Sequence, residues 1–440
     1  MKKMMTNWSG AKGLLMIVRR SLGQHALSTI ITALSISLGS GLVMAVFSIK
    51  SQTYQAFTGG QAGFDAVLGA RGSQLQLVLN TVFHLETSPG NIPWAMYRQI
   101  KQDPRVKLAI PYAVGDNYQG FRIVGTTREI FTEFEYQQGR KFQAQPGGRF
   151  FNADSSTKDS ANVTESPHEA VIGSYVSQAT GLRAGSTFNP YHGLIYDERQ
   201  RHRDRYTVVG VLEATNSPSD RVIWIPIEGV YRMSGHVLRG AGETFRAAEG
   251  EEIPDEHKEV SAVMLKLRDP QSGFQLDQTI NKQGKVATLA WPIGRVMAEL
   301  FDKLGWMNRV LALVAYLVIA VAAGSILASV YNTINERRRE FAILRALGAR
   351  RATVFSVIVI EAALIALIGA TGGYAVYAAI LAATKIIVKA QTGVELNVWQ
   401  IDSILWLTPL LMVAVGTLAG LIPAFKAYRT DVAEHLAPTS

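Results

Sequence analysis

Four stretches of the chain are apolar over lengths that match a lipid bilayer, and a long segment of mixed polarity separates the first from the other three. A hydrocarbon core of about 30 Å needs roughly 20 apolar residues in helical form. Ile30–Ile49, Val310–Val330, Val354–Leu381 and Ile404–Phe425 meet that requirement. Gly369, Gly373, Gly416 and Gly420 stand four apart within the last two of these stretches. Small residues at that spacing let helices approach closely in lipid, although the spacing also arises freely in Gly/Ala-rich spans.

Residues 51–305 follow a different rhythm, with short alternating runs divided by turn residues. Tyr54 to about Leu68 is predicted to continue the first span as a helix, and Ile92–Asp103 reads as an amphipathic helix stopped by Asp103-Pro104. Val106–Tyr112, Gly120–Gly125, His168–Gly173, Arg205–Leu212 and Val222–Ile227 read as strands, with a helix at Ser174–Thr180 and a turn at Gly181–Gly185. The predicted fold class is therefore a membrane protein of four transmembrane α-helices, one plus three, with a large α+β domain between the first and second. Residues 147–167, 190–205 and 233–258 are polar and irregular and read as surface insertions.

Charge gives an orientation. Lys2, Lys3, Lys12, Arg19 and Arg20 precede the first span, six arginines from Arg337 to Arg351 lie between the second and third, and Lys426 and Arg429 follow the fourth. Basic loops stay in the cytoplasm, so four crossings put all three groups inside and residues 51–305 outside. Residues 51–305 hold 27 basic and 28 acidic side chains, a net of −1, so the chain's +9 comes from the segments beside the membrane. That distribution argues against nucleic acid as a partner, since a nucleic-acid-binding domain concentrates its excess in the soluble part. The expected boundaries are an amphipathic cytoplasmic segment at 1–25, spans at 26–50, 306–334, 353–382 and 403–425, an external domain at 51–305, a cytoplasmic loop at 335–352, a short external loop at 383–402 and a cytoplasmic tail at 426–440. The first apolar run is too long for a secretory signal core and is read as a retained anchor. Cysteine is absent, which excludes disulfides and thiolate metal sites.

Enzyme chemistry finds no support. The chain holds no Gly-x-x-x-x-Gly-Lys-Ser/Thr phosphate loop, no His-Glu-x-x-His and no Gly-x-Ser-x-Gly. His192, His202, His236 and His257 fall in the insertions, a clustering compatible with an external metal. Exposed histidines in polar loops ordinarily bind nothing, and no metal ligand, catalytic residue or directly bound cofactor is assigned. Glu361 is an ionisable residue about two turns into the third span, where a carboxylate either serves function or pairs with a loop arginine or interfacial water. Lys385, Lys389 and Asp402 are read as interfacial.

The most informative segment is Glu336-Arg-Arg-Arg-Glu-Phe-Ala-Ile-Leu-Arg-Ala-Leu-Gly-Ala-Arg-Arg351. Glu336, Arg337, Arg339, Glu340 and Arg345 offer charged contacts, Phe341, Leu344 and Leu347 an apolar seam, and Gly348 a left-handed helix end. The arginines also suit plain topology and lipid phosphates. Together with Val359-Ile-Glu361-Ala-Ala-Leu-Ile-Ala-Leu-Ile-Gly369 and Gly420-Leu-Ile-Pro-Ala-Phe-Lys-Ala-Tyr-Arg429, this segment resembles the signature of FtsX/MacB-type ABC transporter permeases. Val171-Ile-Gly, Gly181-Leu-Arg-Ala-Gly185 and Thr207-Val-Val-Gly-Val-Leu212 are similar to that family's periplasmic core domain. The chain departs from the family's usual Asp-Pro near the end, where Asp431 precedes Val432.

The resemblance implies a bacterial inner-membrane permease, dimeric with an identical or different second permease chain. Its cytoplasmic loop would dock on a separate ABC ATPase that binds the ATP, and the stroke would pass to the external domain by mechanotransmission. The implied coupling residues are Glu336, Arg337, Arg339, Glu340, Phe341, Leu344, Arg345 and Gly348, with Glu361 as the intramembrane carboxylate. A periplasmic partner and the lipid bilayer complete the partners, and the expected work is lipoprotein release or efflux of a peptide- or drug-like substrate. The alternatives are a signalling permease that switches a cell-wall hydrolase, and a component of metal-ion uptake.

Overall fold

The computed structural model describes residues 2–58, 63–151, 167–234, 236, 238, 244–245, 253–346, 348–397, 400 and 402–429. The chain divides into two compact units, one of residues 1–52, 304–385 and 396–440, the other of residues 53–303 and 386–395.

The first unit is helical. Lys2–Gln24 forms a helix that ends just before His25, and Ala26–Thr58, Gly305–Glu336, Arg351–Thr392 and Ile404–Arg429 follow as long apolar helices, with the short helix Arg338–Ala346 between the second and third. Among the described residues, four helices are long and apolar enough to cross a membrane: Ala26–Thr58, Gly305–Glu336, Arg351–Thr392 and Ile404–Tyr428. The third helix runs to Thr392, so the stretch from 383 predicted as loop is helical at its start.

Small residues set the closest helix contacts. A Cβ placed on Gly369 would stand 2.5 Å from Cβ of Ile36, and one on Gly373 would stand 2.7 Å from Cβ of Ser40, which marks the approach of the first and third spans. Gly416 and Gly420 do the same against Ala366 (2.5 Å) and Ala362 (2.4 Å), so the third and fourth spans meet through small residues on both sides. Ser37 Oγ donates to the Gly369 carbonyl at 2.9 Å, a polar tie inside the same contact. Ile36, Val43, Ile326, Val330, Phe341, Ile358, Ile365 and Met412 belong to the core that these contacts enclose.

The second unit is built on a ten-stranded mixed sheet. Its strands are β1 (Ala66–Ala70), β3 (Val106–Tyr118), β4 (Phe121–Thr126), β5 (Glu169–Ile172), β6 (Thr187–Phe188), β7 (Tyr191–His192), β8 (Tyr206–Val211), β9 (Val222–Pro226), β11 (Ala262–Leu267) and β12 (Ala287–Ala290), while β2 (Ile92–Pro93) and β10 (Glu259–Val260) pair apart. The order is β12-β1-β11-β3-β4-β9-β5-β8-β6, with β7 on β3. β4 with β9 and β5 with β8 are parallel, and the other pairs are antiparallel.

Both faces of this sheet are covered. Ile223, Ile225, Val263 and Leu265 belong to one core cluster, and their chain neighbours Val222, Trp224, Ala262 and Met264 to another. This explains why Val222-Ile-Trp-Ile and Ala262-Val-Met-Leu read as unbroken apolar runs rather than alternating ones. Two expectations are corrected. Ala66–Ala70 is a strand paired on both sides rather than a continuation of the first helix, because sheet pairing with β11 and β12 outweighs its helical neighbours. The predicted helix from Ile92 begins at Trp94, because Ile92–Pro93 pairs with β10. Gly181, at φ +76°, ends the helix Ser174–Thr180 with its N–H on the Ser177 carbonyl.

Candidate functional site

The loop helix Arg338–Ala346 is short and strongly basic, with Glu340 in its first turn and Arg345 in its last, as the helix dipole favours. Gly348, at φ +99°, closes it in the left-handed region, where its N–H reaches the Arg345 carbonyl and that of Ala349 the Leu344 carbonyl.

Arg337, at the junction with the second span, is buried rather than displayed. Its Nε donates to Glu340 Oε2 at 2.9 Å, one Nη donates to Ser21 Oγ, and the same nitrogen lies 3.6 Å from Glu361 Oε2. Ser21 Oγ in turn donates to Glu361 Oε1 at 2.9 Å. The guanidinium sits 5.0 Å from the centre of the Phe341 ring, within reach of a cation–π attraction. Three helices and the loop are thus joined at one buried ionic knot. A carboxylate inside an apolar bundle is tolerated when a cation and hydroxyl satisfy it, and Glu361 has both. His25 Nδ1 stands 3.2 Å from Glu336 Oε2 beside the same junction.

The residues of the loop therefore separate into two faces. Arg337, Phe341 and Ala342 point into the bundle core, whereas Glu336, Arg339, Glu340 and Ile343 are exposed and Leu344 and Arg345 half-buried. Phe341 was expected to grip a partner. It is 7% exposed and packs with the spans, so the large apolar side chain left exposed among the described residues of this helix is Ile343. Leu347 lies outside the described residues. Lys389 pairs with Glu395 at 2.9 Å, a contact that its reading as a merely interfacial residue did not anticipate.

The second unit holds a separate cluster. His192 lies on β7, His202 follows the short helix Glu198–Gln200, His236 follows the helix Ile227–Tyr231, and all three rings face Asp116 of β3. His192 Nδ1, His202 Nε2 and His236 Nε2 stand 3.2, 3.1 and 3.3 Å from Asp116 Oδ1. The picture of histidines scattered through polar loops is corrected here, because sheet pairing folds the 190–205 insertion back on β3. His257 stays apart, stacked on Phe245 at 4.4 Å. Asp116 escaped the sequence reading; its signal is a lone carboxylate within a long apolar strand, beside a register shift. Burial would raise the Asp116 carboxyl, but the three imidazoles that converge on it outweigh burial and hold the group well below the usual carboxylate range. The hydrogen bond to Asp116 raises His192 above its ordinary value.

The same unit opens a cleft of about 590 Å³ with Phe57, Phe83, Tyr112, Phe134, Trp291 and Val394 among its walls. Its size and aromatic lining suit an apolar ligand group. His84, among the lining residues, is lowered to about 3 by burial first and then by Arg122 and Arg221.

Comparison with known proteins follows the same division. Residues 29–283 match the family model of the MacB-like periplasmic core domain, and residues 312–432 that of the FtsX-like permease C-terminal. The lipoprotein-releasing system transmembrane protein LolC of Neisseria meningitidis serogroup B is 29% identical over 119 residues, which cover 26% of this chain and 28% of LolC. The macrolide export ATP-binding/permease protein MacB of Shigella sonnei is 26% identical over 240 residues, 52% of this chain and 33% of MacB. The chain thus spans a third or less of the length of these curated relatives. Among solved structures, the periplasmic region of MacB from Actinobacillus actinomycetemcomitans aligns over 55% of this chain and 94% of its own, at 10% identity and a TM-score of 0.31.

Proposed function

This chain belongs to the FtsX/MacB-like ABC permease family, a multi-pass membrane protein with a MacB-like core domain, and on that premise we propose that it is the non-catalytic permease subunit of an ABC transporter driven by a separate cytoplasmic ATPase. The observation that carries the reading is the division of the loop helix into a face locked to the spans and a face left free. Arg337 and Phe341 hold it to the bundle, while Arg339, Glu340 and Ile343 are exposed. A partner that pushes on the exposed face would move the second and third spans as one body, because the buried knot resists shear. The first and second spans are covalently continuous with the large domain, which receives the displacement without substrate crossing the bilayer.

In this reading the basic loop faces the cytoplasm and the large domain the periplasm, as the positive-inside rule requires. Two permease chains are the working unit, identical or paired with a second permease. The aromatic cleft favours lipoprotein release or export of a substrate with an apolar part over a purely signalling role. Co-purification in mild detergent tests the coupling. The native chain is expected to bring down an ATP-hydrolysing subunit, and the double variant Arg339→Ala/Ile343→Asp to lose it while reaching the membrane in normal amount. Retention of the ATPase by that variant would sink the docking role.

A further inference from the structure

The large domain carries a second site, which stands apart from the permease reading. Asp116, His192, His202 and His236 present one ligand atom each within 4.8 Å of one another. Asp116 is buried to 0% exposure, yet its Oδ2 has no hydrogen-bond partner among the described residues, and its Oδ1 faces three imidazole nitrogens at once.

The far side of the rings decides what those nitrogens are. His202 Nδ1 lies 2.6 Å from the Ser234 carbonyl and His236 Nδ1 2.9 Å from the Val230 carbonyl. A carbonyl only accepts, so both Nδ1 atoms carry the proton. In the neutral ring each Nε2 is then a bare lone pair aimed at a carboxylate oxygen, which is repulsive. Two resolutions exist. Both rings become imidazolium, which gathers two cations with centres 5.1 Å apart around one carboxylate. Otherwise a cation sits between the lone pairs and the carboxylate and satisfies all four groups together.

We infer that Asp116, His192, His202 and His236 form a binding site for a divalent transition-metal ion of the Zn²⁺ class, held by three neutral imidazoles and one carboxylate. A tetrahedral Zn²⁺ with arms of about 2.0 Å spaces its ligand atoms about 3.3 Å apart, and the three nitrogens stand 3.1–3.3 Å from Asp116 Oδ1. The Nδ1–H to carbonyl bonds are the outer contacts that fix tautomer and ring angle in histidine metal sites. Hard Ca²⁺ and Mg²⁺ call for oxygen ligands and do not fit a three-nitrogen set. The ligands come from β3, from the 190–205 insertion and from the segment after Tyr231, so an ion fastens two insertions to the sheet. His192 is 56% exposed, which leaves the ion a path to and from solvent.

The test uses the full chain, purified in detergent without a polyhistidine tag, stripped with chelator and titrated with Zn²⁺ and then Co²⁺. One equivalent of Zn²⁺ per chain is expected, with Co²⁺ giving the intense visible absorption of tetrahedral coordination. His192→Ala, at an exposed position that does not threaten folding, and Asp116→Asn each lower affinity by more than about 100-fold, since outer-shell partners alone are worth 10–100-fold. His257→Ala leaves the titration unchanged. A native chain that binds no stoichiometric ion, or that binds as tightly after His192→Ala and Asp116→Asn, overturns the site.

Discussion

Arg337 and Glu361 meet inside the helical bundle, with a guanidinium nitrogen 3.6 Å from a carboxylate oxygen and the Ser21 hydroxyl bonded to both. The pair joins the start of the loop helix to the third span and to the amphipathic helix Lys2–Gln24. Both side chains are 6–7% exposed, so neither is well served by water if the other is removed.

Removing one partner is therefore expected to cost far more than removing both. Arg337→Leu or Glu361→Leu alone leaves a buried charge and costs about 3–5 kcal/mol, whereas the double replacement recovers most of that loss. Thermal unfolding of the four proteins in one detergent, arranged as a double-mutant cycle, measures the coupling. Equal and additive losses would mean that the pair does not act as a unit.

Acid should weaken the large domain through His84. Burial, Arg122 and Arg221 lower this imidazole from 6.5 to about 3, so between those values the unfolded chain takes up a proton that the folded one refuses. Its contribution to stability is complete above about pH 6.5 and is lost progressively as pH falls toward 3, by up to about 1.4 kcal/mol per pH unit. His84 adopts φ +55°, which asparagine tolerates, so His84→Asn is the suitable replacement. Between pH 6.5 and 5 the native protein should lose about 2 kcal/mol more than the variant. Identical pH profiles would contradict the assignment.

Glycine contacts between spans give a third expectation. Gly369→Leu drives a side chain into Ile36, and Gly416→Leu into Ala366 and Ile326, and each should destabilise by about 1–3 kcal/mol or more. Gly324→Ala has open space around it and serves as the control. The readout is the midpoint of thermal unfolding in detergent; a Gly416→Leu protein as stable as the control would show that the helices do not need this closeness.

How much of this was legible beforehand follows the range of the interaction. The spacing Gly369/Gly373 and Gly416/Gly420 was visible, yet identical spacing arises without consequence in any Gly/Ala-rich span. Only the facing residues Ile36, Ser40, Ala362 and Ala366 turn it into helix contacts. Glu361 was readable as a carboxylate that either serves function or pairs with a loop arginine or interfacial water, and six arginines were on offer. The turn of the loop helix selects Arg337, and the same turn buries Phe341 and leaves Ile343 outside.

The sequence by itself determined the four apolar helices, the α+β nature of the domain between the first and second, the left-handed end at Gly348 and the family. Those features depend on composition, period and residues close in the chain. The tertiary structure alone decided which strands pair, which faces of the loop helix are spent on the bundle, and that Asp116 meets His192, His202 and His236 across 76, 86 and 120 positions. Hydropathy is a local property, whereas a constellation of ligands is fixed by how a sheet brings distant strands and loops into register.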